Sequence, residues 1–551
     1  RDWFQLSLKE GLTVFRDQQF TMSQGSAAVK RIGDVQGLRA AQFREDSGPM
    51  AHPVRPDSYL AIDNFYTATV YQKGAEVVRM MHTLLGPEKF RRGMDCYIAR
   101  YDNQAVTIED FVSALSNGSG VDLSAFVGWY AQAGTPALSV ADHYYPDTKR
   151  YRLTLAQTTE PTPGQPHKVP LPIPVAMGLL APSGDEVARR TLLLETAQQD
   201  FVFDGVDAPP VPSLLRGFSA PVRLSGLSRE RLRSLAAHDT DPFVQWDSFQ
   251  QYATGLMLDL VERDSPVAEL AVDPGVLQAL SATLERADAD PAYAAYMLVL
   301  PSASYVAAQM KVERWQQIFA VREALRAGIG RQLHEALRRS YDRLTDTDPY
   351  RIDRASIGRR ALRNACLHYL AAAGPEGTAL AAAQFELQAN MTDVLSALAV
   401  LVLGDGPERE AALTTFYQRW RRDPLVLDKW FAVQAEGMRP QVLDDVRKLS
   451  RHPDFSLRNP NRVRALVGAF ASGNPLRFHD PSGAGYAFLT EILAELDPIN
   501  GQVAARLVGP LAAWRRQEPD RAALMRQALE RLRGLPGLSR WTAEKIGLAL
   551  A

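Results

Sequence analysis

The spacing of apolar residues changes twice along this chain, and those two changes constrain the fold more than any other feature. Up to about residue 136 apolar side chains recur at helical intervals, as Leu8, Leu12 and Phe15 do. Between about 137 and 227 they fall into short alternating runs instead. Examples are Ala137-Leu138-Ser139-Val140, Tyr151-Arg152-Leu153-Thr154-Leu155, Ile173-Pro174-Val175-Ala176-Met177, Asp200-Phe201-Val202-Phe203 and Pro221-Val222-Arg223-Leu224, separated by Pro- and Gly-rich turns. From about 228 to 551 the helical spacing returns and persists. A period near 3.6 and a period of 2 belong to different elements. The chain is therefore expected to be multidomain and mainly α: a helical part over 1–136, a small antiparallel β-sandwich of Ig-like type over 137–227, and an α-helical superhelical domain over 228–551, an irregular α-solenoid.

Local signals sharpen this outline. Residues 65–85 carry Val70, Val77, Met80, Met81 and Leu84 on one helical face. Thr107, followed by Glu109 and Asp110, marks a helix start, and Gly134-Thr135-Pro136 stops a helix expected over 122–133. Gly11 sits where a bend would be tolerated. Prolines at 170, 172 and 174 predict edge or irregular strands. In the last part, segments 244–261, 312–341, 378–389, 394–402, 501–516 and 522–535 follow one another in a helix-pair rhythm without a strict repeat.

Composition excludes several classes. With 62 basic and 63 acidic residues the chain carries no excess charge for a nucleic-acid surface. Only Cys96 and Cys366 occur, too few for a disulfide framework or a cysteine metal motif, so a reducing, cytoplasmic setting is expected. No apolar run is long enough for a membrane span. Ser26 and His52 lack a Gly-x-Ser-x-Gly elbow, and neither GxGxxG nor a P-loop is present. Lys73 and Glu76 stand three apart, the spacing of a surface helix pair, and no chemistry is assigned to them.

The opening run Trp3-Phe4-Gln5-Leu6-Ser7-Leu8-Lys9-Glu10-Gly11-Leu12 resembles the segment after the HExxH helix in the M1 family of gluzincin zinc aminopeptidases, in its bacterial aminopeptidase N (alanyl aminopeptidase) branch. The three-part order of the chain resembles the layout of that family after its zinc helix, so the first part is expected to be a remnant of a thermolysin-like catalytic domain. The resemblance implies that Glu10 is the third protein ligand of one Zn2+, completing a His2Glu set with a fourth position open. No two of the nine histidines are four apart, so the chain holds no HExxH. The two histidine ligands, the glutamate base between them and the GxMEN motif are expected before Arg1, in a part missing from this chain, which alone should be inactive.

Tyr71, in Val70-Tyr71-Gln72-Lys73-Gly74-Ala75-Glu76, resembles the family tyrosine that donates its phenol hydrogen to the tetrahedral intermediate. Tyr66, in Ile62-Asp63-Asn64-Phe65-Tyr66, falls in a stretch that the resemblance places on the cleft wall. On a continuous helix it would stand about 140° from Tyr71. It is therefore as readily structural as substrate-facing. Asp63 departs from the Asn of many relatives, so no contact is carried over to it. Arg464 and Arg506 resemble arginines that reach toward the cavity above the zinc, where a guanidinium can grip a peptide carboxylate; solvated or ion-paired arginines are the alternative. The expected partners are peptides, with no nucleic acid and no membrane, and the expected state is a monomer. The competing reading is a non-catalytic helical-repeat scaffold or pseudoenzyme that binds peptides. The epoxide-hydrolase/aminopeptidase type fits less well, because of the separate sandwich and the long helical region.

Overall fold

A computed structural model of the protein describes residues 2–48, 51–58, 65–263, 267, 270–345 and 349–550. It divides into two compact units, one formed by 1–252, 278–297 and 353–355, the other by 253–277, 298–352 and 356–551. No helix among the described residues is long and apolar enough to cross a membrane.

The first unit begins with α1 (Leu6–Gln24) and α2 (Ala27–Asp46). A π-helical turn (Thr69–Lys73) leads into α3 (Gly74–Tyr101), followed by α4 (Ile108–Ser119) and α5 (Val127–Ala131). Side chains satisfy free amides at two of the helix starts. Ser26 Oγ accepts from Val29 N at the head of α2, and Thr107 with Asp110 closes a capping box at the head of α4. The helical stretch expected over 65–85 begins only after residue 67, and it ends at a kink. Gly86 adopts φ 73° just before Pro87, so α3 is two rods joined at a kink.

Gly11 does not bend α1, which runs straight through it. Its missing side chain serves a crossing instead. A Cβ on Gly11 would stand 2.7 Å from the carbonyl carbon of Gly74 and 3.0 Å from its oxygen. On Gly74 it would meet the Cα of Gly11 at 3.3 Å. The two helices thus touch backbone to backbone, closer than any side-chain-bearing pair allows.

Seven strands follow: β1 (Ala137–Tyr145), β2 (Arg150–Thr158), β3 (Ile173–Leu180), β4 (Glu186–Leu194), β5 (Gln198–Asp204), β6 (Val211–Leu214) and β7 (Arg223–Ser225). They form two sheets, ordered β5-β2-β1-β7 and β4-β3-β6. Pairing is antiparallel throughout except between β1 and β7, which run parallel. β4 and β6 carry too little alternation to be read from sequence; β4 runs from a mixed stretch through Arg189-Arg190-Thr191 into three consecutive leucines, and β6 is four residues long. At Pro174 β3 has β4 on one side only, since β6 first pairs at Met177. The missing amide is tolerated at this local edge. One continuous cluster of buried side chains joins α1, α3 and α4 to both sheets, including Phe15, Met80, Phe111, Trp129, Leu153 and Val175. Trp129 is fully buried and its indole donates to Pro172 O at 2.8 Å.

Lys73 and Glu76 are not a surface pair. They are 0% and 2% exposed, and each pairs elsewhere. Lys73 Nζ donates to Asp46 Oδ2 at 2.9 Å and to Gly134 O at 2.8 Å, and Thr135 Oγ1 donates to the same carboxylate oxygen at 2.7 Å. Glu76 accepts two bonds from Arg31, at 2.7 and 2.6 Å, while Arg31 also donates to Gly217 O and Phe218 O. Helical spacing says which side of α3 a residue occupies. It does not say that residues 134 and 217–218, far along the chain, will cover that side. Burial alone would push the Asp46 carboxyl up, yet the Lys73 charge and the hydrogen bonds around it win and hold it below the usual carboxylate range.

The second unit is helical. Segment 312–341 is two helices, Trp315–Gln332 and His334–Arg343, and 501–516 is broken into Gly501–Leu507, Gly509–Ala512 and a 3-10 turn at Ala513–Arg516. A buried polar chain links four successive helices. Arg363 donates to Tyr341 OH at 3.1 Å, Tyr341 OH to Gln384 Oε1 at 3.0 Å, Gln384 to Asn364 Oδ1 at 2.8 Å and Asn364 to Asp393 Oδ1 at 2.9 Å. Such a network fixes the register of packed helices as apolar contacts alone do not.

Gly11→Ala should destabilise the protein by about 1–3 kcal/mol, since its Cβ meets unyielding backbone. Gly33→Ala on α2, where a Cβ meets nothing within 4 Å, should be neutral or stabilising. Chemical denaturation of both variants checks the contrast. Lys73→Met should cost about 3–5 kcal/mol at neutral pH, because it strands a buried carboxylate. Asp46 contributes stability that is present above its ordinary, unfolded pKa and is lost as pH falls through the depressed folded value. In Lys73→Met burial dominates, Asp46 binds a proton more readily, and the deficit should shrink on acidification. A deficit independent of pH between 7 and 3.5 would contradict this.

Candidate functional site

The crossing of Gly11 on Gly74 sets the site. Glu10 is the residue before one glycine, and Tyr71 lies in the π-helical turn that runs into the other. That turn is held by a bond from Gly74 N to Thr69 O, five residues back. π-turns are rare, and they occur often where a side chain must be re-aimed.

The two side chains meet. Burial, then the neighbouring Glu10 carboxylate, hold the Tyr71 phenol above its ordinary pKa. The Glu10 side chain is 11% exposed, and Lys9 Nζ stands 2.7 Å from its Oε1. The hydrogen bond to Glu10 and its charge raise the Lys9 ammonium in turn. A phenol with a raised pKa is a neutral hydrogen donor at neutral pH. The pair therefore offers an anionic oxygen and a hydroxyl donor in one place.

Aromatic side chains wall this pair. Leu6, Phe65 and Val70 are buried together, with Phe4 and Tyr71 packed on them. The Phe4 and Phe65 rings lie 6.0 Å apart and the Tyr66 and Tyr71 rings 6.2 Å apart. Tyr66 is 49% exposed. Its expected 140° separation from Tyr71 does not apply, because helical structure begins only after residue 67. The chain reaches Tyr71 from a non-helical approach that lets the two rings sit side by side. Asp63 and Asn64 lie outside the described residues.

Arg464 and Arg506 belong to the second unit. Arg464 opens a second π-helical segment, Arg464–Gly473, and Arg506 lies near the end of the helix Gly501–Leu507. Both are exposed. The two stretches approach each other at Gly468, whose Cβ position is 3.8 Å from Arg464 Cβ and from Leu507 Cδ2.

Among the described residues no three His, Cys, Asp or Glu side chains converge as a metal site. Glu10 fits the single carboxylate share of a mixed His and Glu zinc set, being nearly buried beside an open-facing hydroxyl, and the residues here do not complete that set. Sequence reasoning missed the groups that grip the Tyr71 turn, Gln42, Glu45 and Thr69. One signal was available. Glu45 and Asp46 put two acids at the C-terminal end of α2, where the helix dipole disfavours them unless they have partners.

Residues 1–130 match the Peptidase family M1 domain, 134–226 the DUF3458 domain of unknown function with an Ig-like fold, and 229–551 the DUF3458_C domain of unknown function with ARM repeats. The chain is 44% identical over 562 residues to Aminopeptidase N of Escherichia coli (strain K12), covering 100% of this chain and 64% of the relative. It is 47% identical over 554 residues to Aminopeptidase N of Caulobacter vibrioides, again over 100% of this chain and 64% of the relative. It thus spans somewhat under two thirds of the length of these relatives. A crystal structure of Legionella pneumophila aminopeptidase A in complex with aspartic acid is similar over 100% of this chain and 63% of that one, with a TM-score of 0.79 and 30% identity. The ARM-repeat match alone takes in more than half of the residues, and with the other two it accounts for nearly the whole sequence: the chain belongs to the DUF3458_C family, with a Peptidase family M1 domain over its first 130 residues.

Proposed function

We propose that this chain supplies one zinc ligand, an oxyanion donor and part of the substrate walls of a zinc-dependent aminopeptidase, which releases N-terminal amino acids from peptides. The observation that carries this reading is the meeting of Glu10 and Tyr71 over the Gly11–Gly74 crossing, within the residues that match the M1 peptidase domain. The name and ligand of the similar proteins support the substrate class: two are called Aminopeptidase N, and the Legionella enzyme was solved with a free amino acid.

On this reading Glu10 is the acidic ligand, and two imidazole ligands come from a part of the protein outside these 551 residues, since no HExxH occurs among them. Zinc held there supplies Lewis acidity toward the scissile carbonyl. Hydrolysis of an amide moves negative charge onto the former carbonyl oxygen. Tyr71 donates its hydroxyl hydrogen to that oxygen, from a turn already fixed before the reaction, so little reorganisation is needed. Tyr66 and the aromatic wall line the substrate side, and Arg464 and Arg506 offer guanidinium groups to a peptide carboxylate. The boundaries near 136 and 227 separate the catalytic part, the sandwich and the superhelix in the same reading. Cys96 and Cys366 are both free thiols, which supports a reducing compartment.

In the complete protein, Tyr71→Phe should lower kcat by about 10²–10³, with KM changed far less, the loss expected for one oxyanion donor. Steady-state kinetics on an aminoacyl-anilide measures it; a kcat within twofold of the parent would remove Tyr71 from the chemistry. The 551-residue chain alone, given zinc, should show no turnover of the same substrate. Robust turnover would overturn the assignment of the missing ligands.

A further inference from the structure

Tyr71 does not hold its own position: it sits in a five-residue π-turn, Thr69–Lys73, that local bonding alone favours poorly. Unfavoured backbone persists only where the surroundings over-determine it. Here the surroundings are one turn of α2. Glu45 accepts from Thr69 N at 2.9 Å, from Thr69 Oγ1 at 2.8 Å and from Ala68 N at 3.2 Å. Gln42 Nε2 reaches Thr69 Oγ1 at 3.3 Å, and Asp46 takes Lys73 Nζ at 2.9 Å. Residues 42, 45 and 46 share one face of a helix, by the i, i+3, i+4 rule. Thr69 and Lys73, the residues gripped, stand two before and two after Tyr71, and both are 0% exposed. The turn is thus clamped at each end by neighbouring side chains while the phenol between them is left half-exposed beside Glu10.

We propose that Glu45 is a positioning residue for Tyr71: its carboxylate caps the π-turn at Thr69 and, with the Asp46–Lys73 pair at the other end, fixes where the phenol points. The inference rests on the catalytic reading of Tyr71 above. Asp46–Lys73 also ties down Gly134 and Thr135, so its loss would be felt widely. The Glu45 carboxylate bonds only to Thr69 and to Ala68 just before it among the described contacts, which makes it the cleaner probe. Its two oxygens accept from three donors. A glutamine there offers one acceptor oxygen and an amide that repels an amide.

The test is a double-mutant cycle in the complete, zinc-loaded protein. Glu45→Ala should lower kcat by about tenfold or more, since displacement of a reacting group by about 1 Å can cost 10²-fold, with KM within about twofold. In a Tyr71→Phe background the same substitution should lower kcat no further, because the group it positions has gone. Zinc content should stay at the parent value, and amide hydrogen exchange over 68–74 should quicken. Thr69→Val, which keeps the volume and removes the hydroxyl, should show a smaller effect of the same pattern and guards against a Glu45 variant that folds poorly. An equal fold-loss in both backgrounds would mark Glu45 as merely structural and overturn the proposal. If Tyr71→Phe itself leaves kcat unchanged, the catalytic reading has failed instead, and the two outcomes are told apart within one cycle.

Discussion

Two glycines in van der Waals contact, Gly11 on α1 and Gly74 at the head of α3, set the geometry on which the site depends. A side chain at either place would have to push backbone aside. The contact does more than pack two helices. Glu10 and Tyr71 lie on the same side of it, one residue and three residues from the crossing, so their relative position is fixed by main chain. A pair whose job is to face a shared point gains from being set by the stiffest part of the molecule, because small displacements of reacting groups are expensive.

Around this contact the first unit commits charged groups to burial. Arg31 and Glu76, and Lys73 and Asp46, are each nearly inaccessible to solvent. Buried ion pairs add little net stability compared with apolar packing, because desolvation offsets attraction. What they give is direction. Each joins α2 to the stretch that carries Tyr71 or to the helix continuing from it, and each also binds carbonyl groups of later loops, Gly134 in one case and Gly217 and Phe218 in the other. Apolar side chains alone could slide by a fraction of an ångström at these joints; paired charges with hydrogen bonds at both ends cannot.

How far the sequence disclosed this differs from feature to feature. The change of period placed the helices and most strands, since periodicity reports which face of an element is covered. β4 and β6 escaped because one groups its polar and apolar residues instead of alternating them and the other is too short to show alternation. Glu10 and Tyr71 were legible through a family resemblance, and the fold brings them together. Lys73 and Glu76 were misread as surface residues, for the reason that the segments covering them lie some sixty and some hundred and forty residues away, beyond any local pattern. At Gly11 the sequence says only that a bend would be tolerated, because a glycine in a helix has two uses, and the neighbour at Gly74 decides between them. The role of Glu45 was invisible for the same reason: its partners are on another element.

The most direct measurement is a crystal structure of the complete protein with zinc, using anomalous scattering to place the metal. Zinc is expected about 2.0–2.2 Å from a carboxylate oxygen of Glu10, with the Tyr71 hydroxyl turned toward the open coordination position. Zinc bound at another group of residues, or a Glu10 carboxylate pointing away from the metal, would contradict it.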